Sequence, residues 1–324
     1  MQKLSEWQAF IRDLPALTTM ELNKDSIITD YSHFSLVAVK GIDAQKFLQG
    51  QLTCDMQEIN EQHYALACCC NVKGRMISSF LVFYHAAVFY LLMPRSLVDT
   101  VITHLKKYAI FSKVEWVDYR ENYIGMVVAG TELIPLMSEQ FPMLNEGTNF
   151  YASPEGSFIL YQPNLPAWQL WVPIAQAQAV WQQWQAHSQV LSPTAWHLRE
   201  LQAHHIHLYP QTVEQFTPHE LSFQKLGGIS FNKGCYMGQE IIARMQYLGK
   251  LKQRLYGLEV QTKAKLLPGD ALYADQELKM LMGHVVDEQQ IKANYFLLAT
   301  LKDQYATQQL IYTKDSEVVE IMSN

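Results

Sequence analysis

Hydrophobic positions fall into short runs in the first half of the chain. Tyr64–Cys70, Met76–Tyr84 and Val88–Met93 are apolar, β-branched or aromatic stretches separated by turn residues, a pattern that predicts strands. The longest greasy run, Phe80 to Pro94, is broken by His85 and falls short of the ~18–20 apolar residues of a membrane helix. It reads as two strands joined through Tyr84-His85-Ala86. Helical spacing appears after Ser96, the expected cap, where Leu97, Val98, Val101, Ile102, Leu105, Tyr108 and Ala109 share one face. Residues 43–50 predict a short helix with Asp43 as N-cap and Gly50 just past its end. Strands are expected near 114–117, 123–129, 158–161 and 169–172, then helices over 174–186 and 193–204, the second opened by Ser192 and Pro193. Strands interleaved with helices in this way predict an α+β fold.

The character changes near residue 250. Arg254–Val260, Ala271–Tyr273, Leu278–Val286, Asn294–Leu301, Gln309–Thr313 and Val318–Met322 read as strands. The turn signals between them are Pro268-Gly269-Asp270, Asp287-Glu288 and Thr313-Lys314-Asp315. That is the profile of a small β-barrel. The expected domains are an α+β region over 1–250, in two interwoven subdomains, and a barrel over 251–324. The N-terminal MQKLSEWQAFIRDL is an amphipathic helix without an apolar signal core or transit pattern, and the expected location is cytoplasmic. Consecutive Cys68, Cys69 and Cys70 point alternately to opposite faces of a strand. They read as core-filling free thiols, consistent with a reducing compartment. The net charge is −6, so any anion-binding role must be local.

One stretch is locally basic. Between Lys225 and Arg254 lie Lys225, Lys233, Arg244, Lys250, Lys252 and Arg254 against one carboxylate, Glu240, with five glycines interleaved. Glycine admits tight turns and close ligand approach, and together with cations it suggests a carboxylate or phosphate site. Within it, Cys235 and Lys233 are the candidate catalytic pair. A thiolate is favoured beside a lysine and near a helix start, and Gln239–Gln246 reads as a helix.

The octapeptide Lys233-Gly234-Cys235-Tyr236-Met237-Gly238-Gln239-Glu240 resembles the signature of the YgfZ family of folate-binding proteins, which are similar in fold to the glycine-cleavage aminomethyltransferase. Gly41 to Thr53, Cys70 to Met76 and Leu105-Lys106-Lys107-Tyr108 resemble further motifs of that family, in the expected order. The resemblance implies an aminomethyltransferase-like α+β region followed by a barrel. It also implies tetrahydrofolate, or a related folate, as cofactor in a central cavity. The implied folate residues are Phe34, Trp196, Gln202, Tyr236, Gln239, Glu240, Arg244 and Arg254, since a flat pterin stacks on aromatic faces and a glutamate tail suits cations. The implied role is an accessory one in iron–sulfur cluster assembly or repair, with iron–sulfur enzymes or assembly proteins as partners, indirectly supporting tRNA modification. The alternative is a folate-dependent one-carbon transferase acting on an unknown substrate.

Two departures from the wider superfamily stand out. Glu200, Gln202 and His204 occupy positions where Arg, Glu and Gly are common, and Gln202 offers one acceptor where a carboxylate would pair bidentately. Ser78 and Ser79 occupy the region where the aminomethyltransferase has an acid, so glycine-cleavage chemistry is not expected. Histidines 197, 204, 205, 207 and 219 lack a carboxylate or cysteine at a familiar ligand spacing, so no stably bound metal is expected. Direct tRNA binding is not expected of an acidic chain without a recognisable RNA-binding motif.

Overall fold

In chain order the elements are α1 (Gln2–Arg12), β1 (Ile27–Asp30), β2 (Phe34–Lys40), α2 (Ala44–Gln51), β3 (Ala65–Cys70), β4 (Met76–His85), β5 (Val88–Pro94), α3 (Val98–Lys106), β6 (Glu115–Asp118), β7 (Tyr123–Ala129), α4 (Ile134–Gln140) and β8 (Phe150–Ala152). There follow β9 (Phe158–Gln162), β10 (Ala167–Pro173), α5 (Ala177–Gln185), β11 (Gln189–Val190), α6 (Pro193–Gln202) and α7 (Gln239–Tyr247). Six last strands complete the chain: β12 (Gln253–Gln261), β13 (Ala271–Tyr273), β14 (Leu281–Ile291), β15 (Asn294–Lys302), β16 (Leu310–Tyr312) and β17 (Val318–Ser323). This computed structural model describes residues 2–17, 26–141, 148–249, 251–291 and 294–323, so Lys250 of the basic segment lies outside the described residues.

The chain forms two units. The first comprises Met1–Leu48, Asp55–Ala65 and Phe80–Trp196. Its six-stranded sheet runs β11-β1-β7-β10-β9-β8, and β4-β5-β2-β6 lie side by side as antiparallel neighbours. The period-two pattern splits the apolar residues of the six-stranded sheet between its faces. Ile28, Met126, Val128 and Leu170 meet the helices through Trp7, Met137, Trp181 and Trp184. Ile27, Val127, Ala129 and Trp171 pack with Leu36, Ala38, Phe83 and Leu92 of β2, β4 and β5, in the cluster that also holds Trp196. Each buried indole removes roughly 200 Å² from water, so these tryptophans weigh heavily in the unit's stability. The second unit comprises Gln49–Cys54, Leu66–Ser79 and His197–Asn324. It contains a closed barrel, β12-β15-β14-β13-β16-β17, filled by alternating residues such as Leu258, Val260, Leu297, Ala299 and Leu301.

The α+β fold and closing barrel match the expectation, and four local readings change. Gly50 lies inside α2 rather than past it, and Asp43 accepts the backbone N–H of Lys113 at 2.7 Å. Helix α3 stops at Lys106 and starts after Leu97 without a side-chain cap, leaving Tyr108 40% exposed. The hairpin turn is Ala86-Ala87, both at positive φ, as a two-residue connection requires. Asp287 and Glu288 form no turn but sit inside β14, at a register shift between Val285 and Asp287. Strand β1, helix α4 and strand β8 were too short or weakly patterned to predict.

His204 follows α6 at φ 56°, the left-handed region that glycine adopts freely. The His204→Gly variant is expected to be more stable by about 0.5–1 kcal/mol, the relief of strain exceeding the added freedom of the unfolded chain. Urea unfolding checks this, since an unchanged or lower midpoint would mean the imidazole has compensating contacts.

Candidate functional site

In the second unit, three segments distant in sequence form one substructure. The first is β3 with the turn that follows it. Cys68 and Cys70 share a face, with sulfurs 3.9 Å apart, and all three thiols of the triplet are buried. Burial pushes the Cys69 thiol well up. Cys70 is raised by its hydrogen bond with Cys68 and then by burial. These are inert packing groups, as expected. The turn is tied by Asn71, whose Oδ1 accepts the N–H groups of Lys73 and Arg75 at 2.9 and 3.0 Å. Arg75 then donates to Gln215 O at 2.6 Å and pairs with Glu220 at 3.2 Å. Glu220 also accepts the Thr217 N–H and the Gln253 amide.

The second segment is Gln49–Cys54, and the third is the glycine-rich loop leading into α7. Thr53 links all three: it donates its hydroxyl to Gly228 O at 2.6 Å and accepts the Cys68 N–H at 2.9 Å. The Ser230 N–H returns to Thr53 O, and the Met237 N–H to Gly50 O. Lys233 closes the arrangement. It is 7% exposed, and its ammonium donates to the carbonyls of Gln49, Leu52 and Cys54, each at 2.7 Å. It also stands 5.0 Å from the centre of the Tyr236 ring. An ammonium has three donors, so Lys233 anchors the loop. The sequence suggests a lysine beside a thiolate; the bonds seen here run to backbone carbonyls.

Gly238 is the N-cap of α7 at φ 80°. A Cβ there would come 2.7 Å from Asn71 O and 3.1 Å from Gly74 Cα, so glycine is needed for both conformation and space. Helix α7 starts at Gln239, so Cys235 stands before its cap rather than at its first turn. Cys235 is the exposed cysteine of the chain; Cys54, Cys68, Cys69 and Cys70 are all buried. The space around its neighbour Gly234 is open, with no heavy atom within 4 Å of an added Cβ. A buried, cross-tied base thus presents one accessible thiol.

The remaining predicted residues are dispersed. Tyr236 is buried, and its phenol is raised by burial and by the nearby Cys68 and Cys70. Gln239 is half-buried. Glu240 and Arg244 pair with each other at 3.1 Å on the exposed face of α7. Arg254 turns to Asp303 on the barrel at 3.2 Å. Gln202 is exposed at the end of α6. Phe34 and Trp196 belong to the first unit, in one cluster. Phe34 stacks on Tyr31 at 4.6 Å and 5°, a partner not singled out in the sequence. Trp196 is 2% exposed, and its indole nitrogen is buried without a hydrogen-bond partner among the described residues.

The layered α+β unit and the closed barrel form an aminomethyltransferase-like fold. The fold is similar to that of glycine cleavage system aminomethyltransferase T from Bartonella henselae, with a TM-score of 0.71, 13% identity, and coverage of 99% of this chain and 96% of that one. The chain belongs to the YgfZ family: residues 16–226 match the GCVT N-terminal domain, and relatives carry the name tRNA-modifying protein YgfZ. The relative from Sodalis glossinidius (strain morsitans) is 31% identical over 290 residues, covering 87% of each chain. That from Yersinia enterocolitica serotype O:8 / biotype 1B is 33% identical over 246 residues, covering 75% of this chain and 73% of the relative. Among the described residues, no helix is long and apolar enough to cross a membrane.

Proposed function

We propose that this protein binds a reduced folate and acts as an accessory in iron–sulfur cluster assembly or repair, through which it supports tRNA modification indirectly. The observation that carries the reading is the single accessible thiol, Cys235, held on a loop anchored by Lys233 while the other cysteines are buried. A thiol is a soft ligand and a nucleophile that can engage iron, sulfur or a partner's cluster transiently. One cysteine does not hold a cluster, which takes four protein ligands. Iron or cluster is therefore cargo here, passing to or from iron–sulfur enzymes or assembly proteins.

The aromatic cluster of the first unit fits a pterin. Phe34 and Tyr31 form a stacked pair, and Trp196 holds an indole N–H that is buried without an acceptor among the described residues. An orphaned buried donor is costly unless a ligand accepts from it. Phe34 and Trp196 would hold the ring system, and the folate would supply a reduced pterin able to carry one-carbon units. Titrating tetrahydrofolate into the protein, followed by heat and tryptophan fluorescence, is expected to show saturable binding below millimolar ligand. Trp196→Phe keeps the aromatic face and removes the donor, so it should weaken binding by about 3–12-fold, the value of one hydrogen bond. No saturable binding to the folded parent chain would remove folate from the account.

Within the one-carbon transferase alternative, the glycine-cleavage reaction lacks its acid at Ser78 and Ser79. Ser78 is fully buried and donates its hydroxyl to Ser79 O at 3.2 Å, and neither serine is an ionised carboxylate near neutral pH. With aminomethylated carrier protein and tetrahydrofolate, no turnover above background is expected. A rate comparable to that of the genuine aminomethyltransferase would promote the alternative.

A further inference from the structure

The histidines that follow the middle of α6 separate in space. His204 is exposed, whereas His197 and His207 turn inward and stack their rings 5.0 Å apart at 27°. Both meet a carboxylate from far along the chain, Asp287, which is 0% exposed: His197 through its ring Nε2, and His207 through its backbone N–H, which donates to Oδ2 at 3.4 Å. The bulge in β14 is the local cause of its position. Pairing passes from Val285↔Ala299 to Asp287↔Leu298, and such an extra residue re-aims the side chains that follow it. One ligand-type atom from each of His197, His207 and Asp287 lies within 4.8 Å of the other two. His197 Nε2 is 3.0 Å from Asp287 Oδ1. A second buried carboxylate, Glu200, stands 3.6 Å from His197 Nδ1 and 3.6 Å from His207 Nε2.

We propose that His197, His207 and Asp287 bind a divalent transition-metal ion, with zinc the best-fitting choice and Glu200 the carboxylate that orients His197 from behind. Two imidazoles and a carboxylate are ligands of the type zinc takes. Zinc–ligand bonds of about 2.0–2.1 Å put tetrahedral ligand atoms about 3.3 Å apart. The 3.0 Å His197–Asp287 separation is close to that spacing, and with all three ligand atoms within 4.8 Å of one another the set would have to draw together around the ion. The surroundings are those of a metal site as well. Asp287 is oriented by the Tyr209 hydroxyl, which donates to Oδ1 at 2.6 Å, and by the Glu288 N–H at 2.8 Å. Glu200 stands 3.6 Å from the ring nitrogen of His197 that does not meet Asp287, so a closer approach on metal binding would complete the carboxylate–histidine–metal arrangement. A dication would add positive charge beside two buried carboxylates, which need it. None of these residues is Cys235 or one of those assigned to folate, so the cobalt readout tests this site independently of both.

Cobalt(II) is the probe. The full-length protein, stripped by a chelator, is expected to bind one equivalent of cobalt with the visible bands of a tetrahedral site and without a thiolate charge-transfer band. Zinc should displace the cobalt and raise the thermal midpoint. Asp287→Asn and His207→Gln should each weaken cobalt by more than about a hundredfold, and Glu200→Gln by about 10–100-fold with a shifted spectrum. Circular dichroism establishes that each variant is folded. Should a variant fail to fold, the cobalt spectrum of the parent chain still decides the matter. No saturable cobalt spectrum in the folded parent protein would overturn the proposal, as would a thiolate charge-transfer band, which would place the ion on cysteine.

Discussion

Lys233→Met is expected to destabilise the protein by about 3–5 kcal/mol, because it leaves the carbonyls of Gln49, Leu52 and Cys54 without their donor. Methionine matches the length and apolar stem of lysine, so little packing is lost and the effect isolates the ammonium. Losing the donor to a buried carbonyl costs about 1–3 kcal/mol, reduced where water or another donor reaches it. Lys233→Arg is expected to recover little. A planar guanidinium cannot aim three donors at three converging carbonyls as a tetrahedral ammonium does. The loop from Gly228 to Gly238 should loosen with the loss, since Lys233 joins it to Gln49–Cys54. Denaturant unfolding gives the magnitude, and hydrogen exchange at the Ser230 and Met237 amides gives the location. A Met variant as stable as the parent would mean that the three bonds are replaced by water at no cost.

The fold was legible wherever hydrophobic pattern and turn chemistry agreed. The barrel strands and the α6 start at Ser192, whose hydroxyl accepts the Ala195 N–H at 3.2 Å, were readable because each is a local signal. Asp287-Glu288 misled for the opposite reason. Two acids in succession resemble a turn, but a bulge in β14 and the Tyr209 hydroxyl make a buried carboxylate tolerable there. Helix α3 was read too long because Tyr108 and Ala109 continue the spacing, although the chain leaves the helix at Lys106.

At the candidate site, residue types and motif order were readable, and the assembly was not. The sequence shows the charge of Lys233, yet its partners include backbone carbonyls, which have no signature in a sequence. The sequence shows His197 and His207 without a completing ligand, because Asp287 lies 90 positions beyond His197 and is carried in by the barrel. Arg244 and Arg254 were expected to serve a ligand, and each has an acidic neighbour at salt-bridge distance. Charge in a linear segment does not report which carboxylate the fold brings beside it.

Cys235→Ser is expected to leave stability unchanged within about 0.5 kcal/mol, since the residue is exposed on an open stretch of loop. Its effect on function should nevertheless be complete. Serine keeps the size and polarity of cysteine but is neither a soft-metal ligand nor a nucleophile at neutral pH. Cys68→Ala, Cys69→Ala and Cys70→Ala should differ in kind, costing stability through buried packing while sparing function in whatever protein remains folded. The direct measurement is the activity of an iron–sulfur enzyme under oxidative stress, in a host lacking its own homologue and supplied with either the parent chain or Cys235→Ser at equal soluble levels. The account predicts that the parent restores that activity and that the serine variant leaves it at the level of the unsupplied host. Equal rescue by the two would contradict it, making the thiol dispensable and the anchored loop a matter of backbone geometry alone.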